Sequence, residues 1–251
     1  MSQHARHRII YLHGFEGHGI GYTMPQLENL IRQTVPGANN DSLVEHWSPL
    51  KNTKEFTFVE VAEQLASDIR NGGAYEKQYA VCHSMGGIIA RQLCVLGIHF
   101  DGVLTIGSPH IGTAWWINGG NWFSGRGPMS IADYSEDLKR LNRSDAAHAH
   151  KYSFVGIACY GKAPGVFQPA KPHQNDTISE LFSQFGGGTV GSRNTYELTV
   201  DYGNHDVPQN YTGDLLGPHT FVIDHAVDTA HGHISFDNAP LISALRECLR
   251  F

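Results

Sequence analysis

The sequence predicts an α/β protein built on a mostly parallel sheet with helices on both faces. Short apolar runs alternate with amphipathic helical patterns from residue 8 to residue 107, as they do when parallel strands are joined by crossover helices. The runs are short and apolar throughout, as buried strands of such a sheet must be. They also lead into residues with useful side-chain chemistry, namely His13, Ser84 and Ser108. In sheets of this kind ligands gather at the carboxyl ends of the strands.

Residues 8–12 form the first run, stopped by His13 and Gly14. The glycine-rich stretch 13–19 is either an ordinary strand-to-helix loop or one that brings backbone amides close to a ligand. Thr23 and Gln26 have capping-box spacing ahead of a helix carrying Leu27, Leu30 and Ile31, which Pro36 and Gly37 end. Residues 42–47 are a weaker strand. Thr57 and Glu60 repeat the capping-box signature, and Phe58, Val61, Ala62, Leu65 and Ile69 keep one apolar face until Asn71, Gly72 and Gly73 stop the helix.

Residues 77–83 are β-prone and end at Ser84, after which Gly86 and Gly87 open a helical run over 88–96. A serine between strand and helix, with small residues on its C-terminal side, is the sequence form of a nucleophile elbow. The competing reading is a serine that only caps the helix. The two glycines suit the elbow, because a larger side chain there would strike the neighbouring strand or helix. Cys82 stands where the elbow pentapeptide usually has a glycine. Residues 103–107 are a third clear strand.

From 112 to 150 the pattern breaks. Trp115, Trp116, Trp122 and Phe123 lie among Asn and Gly without a period, followed by a short helix near 135–141. So aromatic and irregular an excursion reads as a lid or cap over an apolar pocket, or as aromatics packing the flank of the core. A strand returns at 151–159 and a loop at 161–172. Residues 183–219 form an irregular insertion with a turn at 186–188, a strand near 195–202 and a loop at 203–217. The last strand, 221–223, leads through Asp228, His231 and His233 to a final helix. Asp237 or Asn238 begins that helix, Pro240 lies in its first turn, and Leu241, Ile242, Leu245 and Leu249 point inward.

Length and charge bound the function. The 251 residues suffice for one core and show no linker, so 1–251 reads as a single domain. A net charge of −6 without a basic run argues against nucleic acid as partner. No apolar stretch approaches the roughly 18 to 20 residues of a membrane span. The polar stretch 1–8 runs straight into a core strand, which reads as a chain without a secretory leader and predicts a cytoplasmic location. Cys82, Cys94, Cys159 and Cys248 fall inside apolar patterns and read as buried free thiols, which suits a reducing compartment. Among the 16 histidines, His205, His219, His225 and His231 crowd near Asp206, but no pair has a spacing that fixes both on one helix face. Neither a metal nor a cofactor is assigned, and the oligomeric state is left open.

A serine hydroxyl needs a base to take its proton and a carboxylate to orient that base. In strand-helix sheets these groups follow in the order serine, acid, histidine. The chain offers Ser84, then Asp176 after the strand ending near Cys159, then His233 before the last helix.

At this point a resemblance becomes specific. HGF at 13–15, CHSMGG at 82–87, TIGSPHIGT at 105–113, NDTIS at 175–179 and GHISFDNAP at 232–240 together resemble the lipase and carboxylesterase branch of the α/β-hydrolase superfamily. The likeness covers residues 8–113 well, the last thirty moderately and the middle loosely. It implies an α/β-hydrolase fold with Ser84 as nucleophile, His233 as general base and Asp176 as acid. The backbone N–H groups of Phe15 and Met85 would form the oxyanion hole, where one donor is typically worth ~3 to 4 kcal/mol in the transition state. The implied reaction is hydrolysis of a small-molecule carboxylic ester with an apolar group, through an acyl-serine and without a cofactor.

Two departures keep alternatives open. The interval from Asp176 to His233 is longer than such enzymes usually show and includes a second acid-bearing turn, so Asp206 is the alternative acid, and His231 is the alternative base. His83 and His110 read as groups that brace the site or pack beneath it. An acyltransferase, thioesterase or amidase would use the same residues, and a binding or scaffold protein on this fold is the reading from another class.

Overall fold

The computed structural model describes residues 7–14, 23–38, 43–48, 53–73, 75–110, 112, 125–132, 135–148, 154–160, 196–197, 210–211, 219–224 and 239–251. Its strands are β1 (His7–Leu12), β2 (Leu43–Ser48), β3 (Lys77–His83), β4 (Gly102–Ile106), β5 (Phe154–Tyr160), β6 (Tyr196–Glu197), β7 (Asn210–Tyr211) and β8 (His219–Asp224). Between them run α1 (Thr23–Thr34), α2 (Phe58–Asn71), α3 (Met85–Val95), α4 (Arg126–Ser130), α5 (Glu136–His148) and α6 (Ala239–Cys248).

Six strands form one sheet in the order β2-β1-β3-β4-β5-β8, and every pairing in it is parallel. The short β6 and β7 pair antiparallel to each other. The chain runs outward from β1 to β2, then returns past β1 to β3 and continues the other way. Strand order therefore reverses between β1 and β3, whose carboxyl ends form the switch point of the sheet. The register sets Leu12 against Cys82 and His83 against Ile106, so His13 and Ser84 leave adjacent strands at the same edge.

Alternation along the strands divides the core. Ile10, Leu12, Ala80 and Cys82 face one way and join Phe58, Val61, Leu65 and Ile69 of α2, Ile88 and Leu93 of α3, and Leu138 and Leu141 of α5. Ile9, Tyr11, Tyr79 and Val81 face the other way, against Leu27 and Ile31 of α1 and Leu245 of α6. Each aliphatic or aromatic side chain so buried contributes ~1.5 to 3 kcal/mol. Helices on both faces are what the sequence predicts, and they leave the carboxyl ends of the strands open to a site.

Helix α2 follows its sequence signals closely. Thr57 Oγ1 accepts from the Glu60 N–H at 3.2 Å, and Glu60 Oε2 accepts from the Thr57 N–H at 2.8 Å, which completes the capping box. Gly72 caps the other end, its N–H donating to the carbonyls of Asp68 and Ile69. Cys82, Cys94 and Cys248 are buried free thiols, while the Cys159 side chain lies outside the described residues.

Three local readings are corrected. Thr23 is the first residue of α1 rather than its cap, and Pro25 is tolerated because the first turn needs no N–H donor there. Helix α3 starts at Met85, so Gly86 and Gly87 are helical residues, held there by packing against their intrinsic cost of ~1 kcal/mol each. Helix α5 spans thirteen residues and outlasts the expected 135–141; Asp145, Ala146 and Ala147 follow without a breaker, and alanine favours continuation.

In the excursion, Ile131, Leu138 and Leu141 belong to the core cluster beside α2 and α3. Residues 125–132 are fastened to the start of α2: the Phe58 N–H donates to Ser130 Oγ at 3.2 Å, and Arg126 pairs with Glu60 at 2.6 Å. Trp115, Trp116, Trp122 and Phe123 lie outside the described residues, as does most of the 183–219 insertion. Of the strand read at 195–202, β6 is the described part.

Candidate active site

Ser84 sits in the turn between β3 and α3 with φ 52° and ψ −125°, the one positive φ outside glycine among the described residues. An L-residue held in so sparsely populated a region costs ~1 to 3 kcal/mol, and surrounding structure must impose it. Two backbone bonds do so here. The Ser84 N–H donates to the Ile106 carbonyl at 2.9 Å, and the Ser84 carbonyl accepts from the Gly87 N–H at 3.1 Å. The strand ladder grips one side of the turn and the helix grips the other.

The capping alternative fails on geometry. Ser84 occupies the N-cap position of α3, yet its side chain makes no capping hydrogen bond. A capping serine has extended backbone and turns its oxygen back onto the helix. At Ser84 the backbone twist instead leaves the half-buried hydroxyl at the helix N-terminus without that duty. Met85, as first residue of α3, has an N–H with no acceptor inside the helix. No acidic residue stands in the first turn of α3 to offset the partial positive charge there. The arrangement suits negative charge developing at or beside Ser84 Oγ.

Three glycines make this geometry possible. A Cβ on Gly86 would stand 2.1 Å from the Leu12 carbonyl oxygen and 2.9 Å from that of His13. A Cβ on Gly87 would stand 2.2 Å from Ser108 Oγ and 3.0 Å from Thr105 Cγ2. The start of α3 is thus wedged between the ends of β1 and β4. A Cβ on Gly14 would lie 2.8 Å from Ser84 Cβ and 3.2 Å from Ser84 Oγ. The backbone that follows β1 therefore runs directly beside the serine.

Flanking groups are buried and neutral. The His13 ring, 3% exposed, places Nδ1 2.7 Å from the Gly14 carbonyl oxygen. A carbonyl only accepts, so Nδ1 carries the proton. Burial lowers the His13 pKa, partly countered by that bond. Cys82 is fully buried, and burial with its neighbouring thiols raises its pKa well above the usual range, which keeps it a thiol and no rival nucleophile.

Beneath the elbow lies a residue that the sequence reading did not single out. Arg91 of α3 is fully buried, donating to the His110 carbonyl at 3.0 Å and to Asn142 Oδ1 of α5 at 2.8 Å. His110 is also fully buried, its Nδ1 3.5 Å from the guanidinium and its Nε2 3.4 Å from Thr105 Oγ1. Burial first, and Arg91 second, depress the His110 pKa well below the ordinary value. Arg91 thereby ties α3 to the segment after β4 and to α5, with His110 as one of its partners. The signal for Arg91 was a lone cation in an otherwise apolar helical run.

Of the sequence-derived site residues, Ser84 and Met85 meet at the switch point beside Gly14. Phe15, Asp176 and His233, with the alternatives Asp206 and His231, lie outside the described residues.

Neither a protein-family model nor a curated protein matches the sequence. Solved structures do align. The product of the gene lin2722 from Listeria innocua matches at 11% identity and TM-score 0.52, over 95% of this chain and 91% of that one. Phospholipase PlaB from Legionella pneumophila, solved with thio-NAD, matches at 14% identity and TM-score 0.51, over 71% of this chain. The match takes in 44% of the phospholipase, so this chain corresponds to under half of that protein. Lipase 1 from Pelosinus fermentans aligns at 14% identity and TM-score 0.49, over 96% of this chain and 97% of its own. At such identities the likeness is one of fold. The chain has the α/β-hydrolase fold, and a phospholipase is among the structures that share it. Among the described residues no helix is long and apolar enough to cross a membrane.

Proposed function

We propose that the protein is a serine hydrolase of carboxylic esters, with Ser84 as nucleophile, His233 as general base and Asp176 as the acid that orients it. The observation that carries this reading is the Ser84 backbone, forced to φ 52° at the strand-to-helix turn with its hydroxyl unused by the helix. Such strain persists only where structure over-determines it, and a serine that merely caps has no need of it. Topology adds support. Strands β5 and β8 run parallel to the rest of the sheet, so the chain leaves both at the edge that bears Ser84, and Asp176 and His233 follow those strands in sequence.

In the reaction Ser84 Oγ attacks the ester carbonyl while its proton passes to the His233 ring. The N–H groups of Phe15 and Met85 donate to the resulting oxyanion, aided by the α3 dipole. Collapse expels the alcohol, which takes the proton from His233. Water then attacks the acyl-serine with His233 again as base, releasing the acid and restoring Ser84. No cofactor takes part. The substrate is a small ester with an apolar group, which the aromatic residues Trp115, Trp116, Trp122 and Phe123 of the excursion favour.

Intact-mass analysis after fluorophosphonate treatment tests the reading, alongside hydrolysis of p-nitrophenyl acetate, butyrate and palmitate. One adduct on wild type, none on Ser84→Ala, and loss of turnover in Ser84→Ala and His233→Ala are expected. Full esterase activity in Ser84→Ala would overturn it.

A further inference from the structure

Resting on the ester-hydrolase reading, we propose that Ser108 is a positioning residue, whose side chain holds the first turn of α3 and through it the backbone of Ser84. Both ends of Ser84 are referenced to one short segment at the end of β4. Its N–H donates to the Ile106 carbonyl at 2.9 Å, and its own carbonyl accepts from the Gly87 N–H at 3.1 Å. Gly87 in turn abuts Ser108, where a Cβ on the glycine would stand 2.2 Å from Ser108 Oγ and 2.7 Å from Ser108 Cβ. The Ser108 hydroxyl thus fills the space that a side chain at 87 would take. Gly107, at φ 58°, turns the chain between the carbonyl that holds one end of Ser84 and the side chain that holds the other.

Ser108 is itself held against this contact. Its carbonyl accepts from the His110 N–H at 2.9 Å, and the His110 carbonyl accepts from the buried Arg91 guanidinium at 3.0 Å. Gly87 and Arg91 lie one helical turn apart on the same face of α3. Segment 108–110 is therefore fastened along that face at two points, by packing at Gly87 and by hydrogen bonding at Arg91. The other side of the turn is closed as well, since a Cβ on Gly86 would stand 2.1 Å from the Leu12 carbonyl oxygen. Ser108 is 1% exposed, and its Oγ has no hydrogen-bond partner among the described residues. What it gives the turn is bulk at one point, and it acts through Gly87 rather than on the substrate.

The test uses the full chain, with Ser108→Ala to empty the contact, Gly87→Ala to overfill it, and Gly87→Ala/Ser108→Gly to move the bulk from one side to the other. In the double variant the nearest neighbour left to the new methyl is Thr105 Cγ2 at 3.0 Å, a side-chain atom able to give by a few tenths of an ångström. A misplaced nucleophile costs transition-state stabilisation rather than binding, so kcat should fall while KM holds. Gly87→Ala is expected to lower kcat by ~100-fold, as a misplacement near 1 Å does, and Ser108→Ala, which loosens the turn, by ~3- to 10-fold. The double variant should recover at least ~10-fold of the Gly87→Ala loss. Rates of fluorophosphonate labelling at Ser84 should follow the same order. Circular dichroism establishes that each variant is folded, and the urea midpoint of Ser108→Ala should stay at the wild-type value, because the lost hydroxyl forms no hydrogen bond to the described residues. Wild-type kcat in a folded Ser108→Ala would overturn the inference, as would a folded double variant no better than Gly87→Ala. If wild type neither turns over esters nor takes a fluorophosphonate on Ser84, the hydrolase reading fails and this inference fails with it. Labelled, active wild type with an unimpaired Ser108→Ala overturns this inference alone.

Discussion

Adding one methyl group at Gly86 should separate stability from catalysis. In Gly86→Ala the new Cβ would meet the Leu12 carbonyl oxygen at 2.1 Å and the Leu12 carbonyl carbon at 2.7 Å, where ordinary contact begins at 3.4 Å. Both are backbone atoms of a central strand and have no rotamer to change. Either α3 or the end of β1 must move by about 1.3 Å, the difference between 3.4 and 2.1 Å. Ser84 moves with α3 and Gly14 with β1, so either shift opens the space between the proposed nucleophile and the backbone at Gly14. A misplacement near 1 Å costs ~100-fold in rate. Overpacking costs ~1 to 3 kcal/mol, and the gain of alanine over glycine in a helix returns ~1 kcal/mol, so the net loss of stability is ~0 to 2 kcal/mol. Gly97→Ala is the matched control. Its φ is +84° and nothing lies within 4 Å of its Cβ position, so it loses ~1 to 2 kcal/mol from backbone strain and leaves the site alone. Urea denaturation should rank the two as similar, while kcat on p-nitrophenyl butyrate falls ~100-fold only in Gly86→Ala. Wild-type kcat in Gly86→Ala would refute the claim that these two backbones set the site.

Ser84→Gly should be inactive yet more stable than Ser84→Ala by ~1 kcal/mol, because glycine accepts the positive φ; equal urea midpoints would mean the turn is unstrained. Asn142→Ala removes an acceptor 2.8 Å from the buried Arg91 guanidinium and should cost ~1.5 to 3 kcal/mol, read by urea denaturation; a change near zero would mean Arg91 is satisfied without it. The depressed pKa of His110 makes stability fall with acidity. Above its ordinary value of 6.5 neither state is protonated, whereas below it the unfolded chain takes a proton that the buried ring refuses. That contribution is at most ~1.4 kcal/mol per pH unit, beginning near pH 6.5 and ending at the folded pKa. Denaturation curves at pH 7, 6 and 5 should be less pH-dependent in His110→Asn than in wild type, and parallel curves would place the proton elsewhere. Asp176→Asn should lower kcat by ~10,000-fold and Asp206→Asn should not; the reverse result would exchange the acid.

The parts of this protein legible in its sequence are those whose causes are local. Strand β3 ends where the sequence reading ends it, because the hydrophobic run stops at Ser84 and two glycines follow. The capping box of α2 is complete within four residues and needs nothing else to form. Arg91 was not legible as a buried group, because what buries it lies 19 and 51 residues away, at His110 and Asn142. The start of α3 was misread for a related reason: glycine propensity argues against a helix at 86 and 87, whereas close packing of Gly86 on the backbone at the end of β1 and of Gly87 on the Thr105 and Ser108 side chains requires glycine there. The same two residues carry opposite meanings at the two levels, and the tertiary one prevails.

Ser84 and the groups proposed to serve it are therefore specified by different means. Ser84 is placed by contacts between adjacent strands and the first turn of one helix. A base carried after β8 starts three strands away from β3, a lateral distance of ~14 Å at the usual strand spacing. His233 lies nine residues beyond Asp224, the end of β8, and an extended chain of that length reaches ~30 Å. The link is long enough to cross the ends of β5 and β4 with slack for a turn. Seven residues to His231 reach ~23 Å, also sufficient. Reach alone thus admits both histidines, and their difference must come from the path of the chain. A catalytic site with this division can be wedged rigidly at the nucleophile while its base arrives on a segment of different length and sequence. For that reason the Ser84 turn carries the functional reading, and kcat of His233→Ala against His231→Ala distinguishes the two candidate bases, the larger loss marking the base.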